Sequence, residues 1–283
     1  MRVLVTGVNG QLGYDIMRCL NEIGMEASGV GSELLDLLDS TKTTKYILNY
    51  LPDVIIHCAA FTNVNAAEEE KEKCRAVNFG ATATIAVACK TINAKLVYIS
   101  TDYVFSGSGN DPYETDSTTK PLSFYGQTKL EGENEVLRLV DKHFIIRTSW
   151  AFGENGNNFV KTMLNLSKER QKIDVVSDQI GSPTYTKDLA LLIIDMIKTD
   201  KYGVYHATNE GYCSWAEFAA EIFRQTGSQT RVNFINSEEY DTSATRPKNS
   251  RLSKKSLDIN GFNRLPEWQD ALHRYLISTD NIN

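Results

Sequence analysis

The first two dozen residues constrain the fold more than any other stretch. Arg2-Val3-Leu4-Val5-Thr6 reads as a short buried strand, and Gly7-Val8-Asn9-Gly10-Gln11-Leu12-Gly13 follows it directly. Leu12, Ile16, Cys19, Leu20 and Ile23 then recur at helical spacing, and Gly24 stands where a helix-ending C′ glycine is expected. A strand, a glycine-rich turn and a helix in that order bring backbone N–H groups close to a pyrophosphate at a helix N-terminus, where the dipole favours negative charge. The alternative is that the glycines only make a tight turn. The strand before them and the helix behind them favour nucleotide binding. The spacing is G-x-x-G-x-x-G, which differs from the commoner G-x-G-x-x-G.

The chain continues as alternating strands and helices. A second strand covers Glu26 to Val30, and no carboxylate follows it until Glu33. An acidic residue at this strand end commonly holds the ribose 2′-hydroxyl of NAD. Here nothing repels a 2′-phosphate and Ser32 can donate to it, so NADPH is the expected cofactor, with NADH also compatible. Ser40 to Leu51 reads as a helix stopped by Pro52, and Val54 to His57 as the third strand, running into the small residues Cys58-Ala59-Ala60. Glu68 to Lys73 is a charge run expected to be the solvated start of a long helix through Cys74, Val77, Ala81, Ile85 and Ala88. Lys95 to Ile99 is a fourth strand ending at Ser100-Thr101-Asp102-Tyr103, and Phe144 to Arg147 another, ending in Thr148-Ser149-Trp150. This alternation predicts an α/β, Rossmann-type, doubly wound parallel sheet.

From Asn157 the pattern loosens. A helix from Asn158 to Arg170, a strand Asp174 to Ser177, an apolar helix Thr186 to Lys198 and a strand Val204 to Ala207 are expected. An amphipathic helix, Ser214 to Thr226, carries Ser214 and Glu217 at capping-box positions, and a final helix lies near Trp268 to Leu276. The expected division is a dinucleotide-binding domain of residues 1–151 plus about 185–209. A smaller α/β substrate-binding domain takes about 152–184 plus 210–283.

Composition excludes several classes. With a net charge of -6 over 283 residues, a general nucleic-acid surface is not expected. Five scattered cysteines without C-x-x-C spacing, and no signal peptide, point to free thiols in a reducing cytoplasm. The four histidines and the cysteines show no metal-ligand spacing, so no metal is expected. The longest apolar run, Leu189 to Ile194, is too short to span a bilayer.

The chemistry is carried by Tyr125-Gly126-Gln127-Thr128-Lys129, on a helix running to about Val140. A spacing of four puts phenol and ammonium on one face, one turn apart. A nearby positive charge favours the phenolate, which makes the phenol a better acid toward a carbonyl oxygen. Alone, such a pair is more often a solvated helix contact. Strand ends line the ligand crevice of open α/β sheets, so Thr101 is placed where its hydroxyl can meet a substrate carbonyl. It can equally be a β-branched residue closing a strand. His57 is read as a packed core residue and given no role.

The glycine turn, a threonine ending the fourth strand and Tyr-x-x-x-Lys resemble the extended short-chain dehydrogenase/reductase superfamily. Within it, Gly10 to Gly13, Ser100 to Phe105, Arg147 to Trp150, Gly156 to Phe159, Asp178 to Thr184 and Arg246 to Leu252 resemble the dTDP-4-dehydrorhamnose reductase family. The resemblance implies reduction of the C4 ketone of a nucleotide-linked 6-deoxy-4-keto-L-sugar. It makes Tyr125 the proton donor, with Lys129 lowering its proton affinity and holding the nicotinamide ribose, and it has Thr101 orient the carbonyl. It assigns Gly7, Gly10, Gln11, Leu12 and Gly13 to the pyrophosphate and Asp36-Leu37 to the adenine side. Ala59, Ala60 and Thr62 pass beneath the cofactor, with Asn78 in the helix behind. Val64, Tyr103, Trp150, Gln179 and Arg246 border the sugar nucleotide, Arg246 being the natural partner of its diphosphate. The implied assembly is a monomer or homodimer.

One stretch departs from that family. After Val64 the family commonly has Asp, a basic residue, then Ala/Cys-Glu, and this chain has Asn65-Ala66-Ala67-Glu68. The departure bears on which sugar is accepted. A related epimerase or 4,6-dehydratase is the alternative enzyme, but dehydratases carry Asp-Glu after the threonine and this chain has Asp102-Tyr103. A non-catalytic regulatory subunit, like the methionine adenosyltransferase β-subunit of similar fold, is the alternative outside catalysis. Thr101, Tyr125 and Lys129 are all retained, which argues against it.

Overall fold

A computed structural model describes residues 1–240 and 243–282. Six parallel strands form the central sheet. In spatial order they are Gly203–His206, His143–Thr148, Lys95–Thr101, Val54–His57, Val3–Thr6 and Ala27–Val30. Val3–Thr6 and Val54–His57, first and third along the chain, are buried at every residue. Their unbroken apolar runs follow from cover on both faces, since a strand sends alternate side chains to opposite sides. Val3 and Val5 join Ile16, Leu20, Leu189 and Ile193 on one face, under helices Gln11–Glu22 and Thr186–Ile197. Leu4 points the other way and packs with Ile47, Ile85 and Val136 from helices Ser40–Tyr50, Thr82–Ile92 and Phe124–Leu139.

The chain leaves Ala27–Val30 at one edge and re-enters the sheet at Val54–His57, on the other side of Val3–Thr6. That reversal opens a crevice at the carboxyl ends of the first and third strands, where open α/β sheets bind ligands. Beyond the sheet, Phe152, Tyr185, Phe218, Trp268 and Tyr275 are the centre of a separate apolar cluster. Helices Phe159–Ser167, Trp215–Thr226 and Trp268–Ser278 pack there, beside a parallel pair of strands, Lys172–Val176 and Arg231–Ile235. Ser214 and Glu217 complete the expected capping box. The helix expected to reach Arg170 ends at Ser167. Among the described residues no helix is long and apolar enough to cross a membrane.

The long helix expected from Glu68 is instead four pieces: Val64–Glu69, Lys71–Arg75, a π-helical turn Ala76–Ala81, and Thr82–Ile92. Side chains explain the wide turn. The Asn78 carbonyl accepts from Thr82 Oγ1 at 2.7 Å and from the Tyr98 hydroxyl at 3.4 Å. Glu68 is also more than a solvated charge, because its carboxylate accepts the backbone N–H of Phe124 at 2.7 Å. Together with Ser123, whose hydroxyl accepts from Gly126 N at 3.2 Å, it caps the helix that carries Tyr125 and Lys129.

Candidate active site

One end of the crevice is made of backbone. Gly7 has φ +71°, and a Cβ there would lie 2.5 Å from Ala59 N. A Cβ on Gly13 would lie 2.4 Å from the Gly7 carbonyl oxygen. The turn, the first helix and the end of the third strand therefore nest with room for hydrogen only. Gly10 starts the helix and no side chain caps it, which leaves the first-turn amides facing the crevice as an anion cradle. The cleft encloses about 810 Å³. Gly7, Gly10, Gln11, Leu12 and Gly13 line this end, with Ala59, Ala60 and Thr62 opposite. Gly31, Ser32, Asp36 and Leu37 line its outer part and Glu33 does not. These residues fit a dinucleotide: an uncapped helix for the pyrophosphate, and Ser32 rather than a carboxylate at the strand end. The Asp36 carboxylate turns locally, accepting from Leu38 N at 3.0 Å.

The other end is built from buried side chains. Thr101 closes its strand, in register with Thr148. Tyr125 and Thr101 both line the cleft, and the Thr101 hydroxyl acts on the Tyr125 phenol in favour of its charged form. Gly126 lets this helix press inward, since a Cβ there would lie 2.2 Å from the Tyr103 carbonyl oxygen. Burial pushes the Tyr125 phenol up, opposed by the Thr101 hydroxyl. Lys129 is 2% exposed, its Nζ 4.0 Å from the centre of the Tyr98 ring, and burial pushes it down to about 7. Lys129 is not among the groups that set the shift of the Tyr125 phenol, which burial dominates. Desolvation acts on both groups and outweighs their helical spacing. Asp102 is pushed up to about 6, again by burial first. Ser100 Oγ, Asp102 Oδ2 and Thr148 Oγ1 are buried without partners, and all three residues line the cleft.

His57 is a neutral prop. Its ring nitrogens sit 2.7 Å from Thr6 Oγ1 and 3.2 Å from Thr82 Oγ1, and burial holds it down at about 3. Asn78 does not line the cleft. Its Oδ1 accepts Phe61 N at 2.8 Å, and its Nδ2 donates to Phe61 O at 3.2 Å and Thr128 Oγ1 at 3.1 Å. It fastens the segment after Ala59-Ala60 to the Tyr125 helix.

Of the residues expected near the sugar nucleotide, Val64, Tyr103 and Trp150 line the cleft, whereas Gln179 and Arg246 do not. Gln179 Nε2 donates to Ser237 Oγ at 2.9 Å. Arg246 reaches the rim, donating to the Tyr103 hydroxyl at 3.5 Å and to Asn65 Oδ1 at 3.3 Å. Trp150 has φ 49°, a left-handed backbone unusual for a bulky residue. Its ring stacks on Trp215, centroids 3.8 Å apart and planes at 15°, and both rings line the cleft. Trp215 and Asp102 are site residues that the motifs did not single out. The signal available for Trp215 was an aromatic in the first turn of a capped helix.

An all-parallel doubly wound sheet, a glycine turn under an uncapped helix, and a buried Thr–Tyr hydroxyl pair beside a lysine define a Rossmann-type protein shaped for a dinucleotide next to a proton donor. The family model described as RmlD substrate binding domain matches residues 1–280, and the chain belongs to that family. It is 41% identical over 276 residues to the spore coat polysaccharide biosynthesis protein SpsK of Bacillus subtilis (strain 168), covering 97% of this chain and 96% of that one. It is 36% identical over 290 residues to the dTDP-4-dehydrorhamnose reductase of Escherichia coli (strain K12), covering 98% and 97%. Among solved structures, the dTDP-4-dehydrorhamnose reductase of Bacillus anthracis str. Ames in complex with NADP superposes with a TM-score of 0.96 at 43% identity, covering 98% of this chain and 99% of that one.

Proposed function

We propose that the protein reduces the C4 ketone of a nucleotide-linked 6-deoxy-4-keto-L-sugar, dTDP-4-dehydro-L-rhamnose, to dTDP-L-rhamnose. The observation that carries this reading is that Thr101, Tyr125 and Lys129 are buried together in the same cleft as the glycine turn. NADPH, when bound, supplies the hydride. Tyr125 gives its proton to the ketone oxygen, and burial that holds the phenol neutral keeps that proton in place until negative charge develops beside it. Thr101 orients the carbonyl. Lys129, buried one turn past Tyr125, holds the nicotinamide ribose and offers charge to the phenolate left behind. Gly7, Gly10, Gln11, Leu12 and Gly13 cradle the pyrophosphate, Asp36 and Leu37 flank the adenine, and Ala59, Ala60 and Thr62 leave space beneath the cofactor.

Val64, Tyr103 and Trp150 border the sugar nucleotide, and Arg246 meets its diphosphate from the rim, with Gln179 behind. In this reading Asn78 positions the cofactor wall and does not touch the cofactor. The division of labour follows the two parts, residues 1–151 plus about 185–209 for the dinucleotide and about 152–184 plus 210–283 for the sugar. The protein works in the cytoplasm as a monomer or homodimer, taking a small sugar nucleotide and no nucleic acid or membrane.

The test is spectrophotometric. Purified protein with NADPH and dTDP-4-dehydro-L-rhamnose should consume the reduced nicotinamide absorbance. Tight NADPH binding without consumption, for this and related ketosugar nucleotides, would instead favour a regulatory role.

A further inference from the structure

Among the described residues, Asp102 is the one buried ionisable group in the cleft to which the proposed reaction gives no work. It is 2% exposed, Oδ1 accepts from Thr101 Oγ1 at 3.1 Å, and Oδ2 has no hydrogen-bond partner. The groups that favour its charged form are the hydroxyls of Thr101 and Ser250 and the amides of Asp102 and Tyr103, none of them a cation. Two cations of the surrounding elements are engaged elsewhere. Arg246, from the segment packed over this corner, donates to the Tyr103 hydroxyl, and Lys129, on the Tyr125 helix, lies against Tyr98. The phenols facing the same corner are Tyr103 and Tyr125, and an ionised Asp102 pushes both of them up.

We propose that Asp102 is a positioning residue for the ketone reduction, setting through Thr101 where that threonine's single hydroxyl proton points. The inference rests on the reading of the site as a ketone reductase and deepens it. A threonine hydroxyl has one proton and two acceptor positions. Thr101 Oγ1 already accepts from Tyr103 N at 3.2 Å, and its hydroxyl acts on the Tyr125 phenol in the same cleft. An ionised Asp102 can only accept, so it takes the Thr101 proton and leaves the threonine nothing to offer a carbonyl. A neutral Asp102 carries a proton of its own and donates to Thr101. The Thr101 proton is then free to turn to the ketone oxygen beside the Tyr125 O–H, and two donors converge where negative charge develops. The neutral form is within reach because burial pushes this carboxyl up to about 6, and a substrate covering the cleft adds to that burial.

The experiment is kcat against pH for the wild type, Asp102→Asn and Thr101→Val, with NADPH affinity as the check on folding. The wild type should lose turnover on the alkaline side in a fall to which Asp102, pushed up to about 6, and Lys129, pushed down to about 7, both contribute, the lower step being that of Asp102. Asn has the shape of the neutral acid and can donate to Thr101. Asp102→Asn should therefore lose the lower step and keep acid-side kcat within about threefold, the scale of one altered neutral hydrogen bond. Thr101→Val should lose the lower step too, at reduced kcat. A lower step that persists in Asp102→Asn, or a uniform drop at every pH, overturns the proposal. A second measurement does not need turnover. The Asp102 side-chain carbonyl, followed by ¹³C NMR, should titrate above pH 5 and shift on Thr101→Val, and full ionisation below pH 4 sinks the idea. Absence of any wild-type turnover, by contrast, fails the reductase reading itself.

Discussion

The two ends of the cleft are made by opposite means. At the glycine turn the site depends on atoms that are missing, since Gly7 and Gly13 have backbone where a Cβ would stand. At the Thr101–Tyr125 corner it depends on side chains that are present, buried, and pushed from their ordinary ionisation. The first end should therefore fail by addition of a methyl group and be indifferent to pH. The second should fail by removal of one oxygen and be governed by pH.

The largest expected effect falls at the second end. Tyr125→Phe should lower kcat by on the order of 10²–10⁴, the range of one general acid, while NADPH affinity stays within about twofold. Comparable turnover by the variant would remove Tyr125 from the proton-donor role. At the first end, Gly7→Ala combines a φ of +71° with a Cβ 2.5 Å from Ala59 N, which is backbone and cannot rotate aside. Overpacking of this kind costs on the order of 1–3 kcal/mol, so NADPH affinity should fall by roughly ten- to a hundredfold with little change in pH dependence. Calorimetric titration would show it, and wild-type affinity would mean that the turn does not nest as described.

Lys129 should show the conflict between charge and burial as stability. Burial moves it from 10.5 in the free side chain down to about 7, so the unfolded chain holds this proton more tightly than the folded protein. The cost is present in full below about 7 and fades as pH rises toward 10.5. Lys129→Met should thus abolish most turnover yet raise Tm, by about 2–4 °C for each kcal/mol recovered, with the gain largest below neutrality. A variant that melts lower at pH 6 would show that the ammonium is held by partners rather than buried at a cost. Smaller again is Trp215→Ala. Aromatic stacking contributes about 0.5–1.5 kcal/mol beyond burial, so KM for the sugar nucleotide should rise by up to about tenfold and KM for NADPH should not move.

The same contrast marks what could be read from the sequence. The sheet and the glycine turn were legible because they rest on local rules: runs such as Val54–His57 between breakers, and glycines at fixed spacing behind a strand. Tyr125 and Lys129 were legible as a helical pair, but their electrostatics were not, since spacing fixes which face a group occupies and not how much water it keeps. The π-turn at Ala76–Ala81 depends on Thr82, Tyr98 and Asn78 meeting across elements, which no window of the chain contains. Trp215 is 65 residues beyond Trp150, and only folding stacks them. Arg246 was expected at the diphosphate and is found at the rim, paired with Tyr103 and Asn65. Asn65, where the chain departs from the family pattern, is thus a partner of Arg246.

The smallest expected effect tests whether the glycine turn is held in place from outside by another segment. Asn155 lies far along the chain from the glycine turn, yet its Nδ2 donates to Asn9 O at 2.8 Å and approaches Gly10 O at 3.5 Å. Three residues on, Asn158 Nδ2 donates to Gln11 Oε1 at 3.1 Å and to Gly153 O at 2.9 Å. Gly156 and Asn157, between them, line the cleft. The segment therefore braces the carbonyls on the outer side of the turn whose amides face the cofactor. Asn155→Ala removes one neutral hydrogen bond at a partly exposed site, worth about 0.5–1.5 kcal/mol. If the brace aligns the turn, the loss should appear as a rise of about two- to tenfold in KM for NADPH, with kcat unchanged. A fall in Tm with no change in NADPH binding would make the contact structural only, and the cofactor end would then stand on its own backbone.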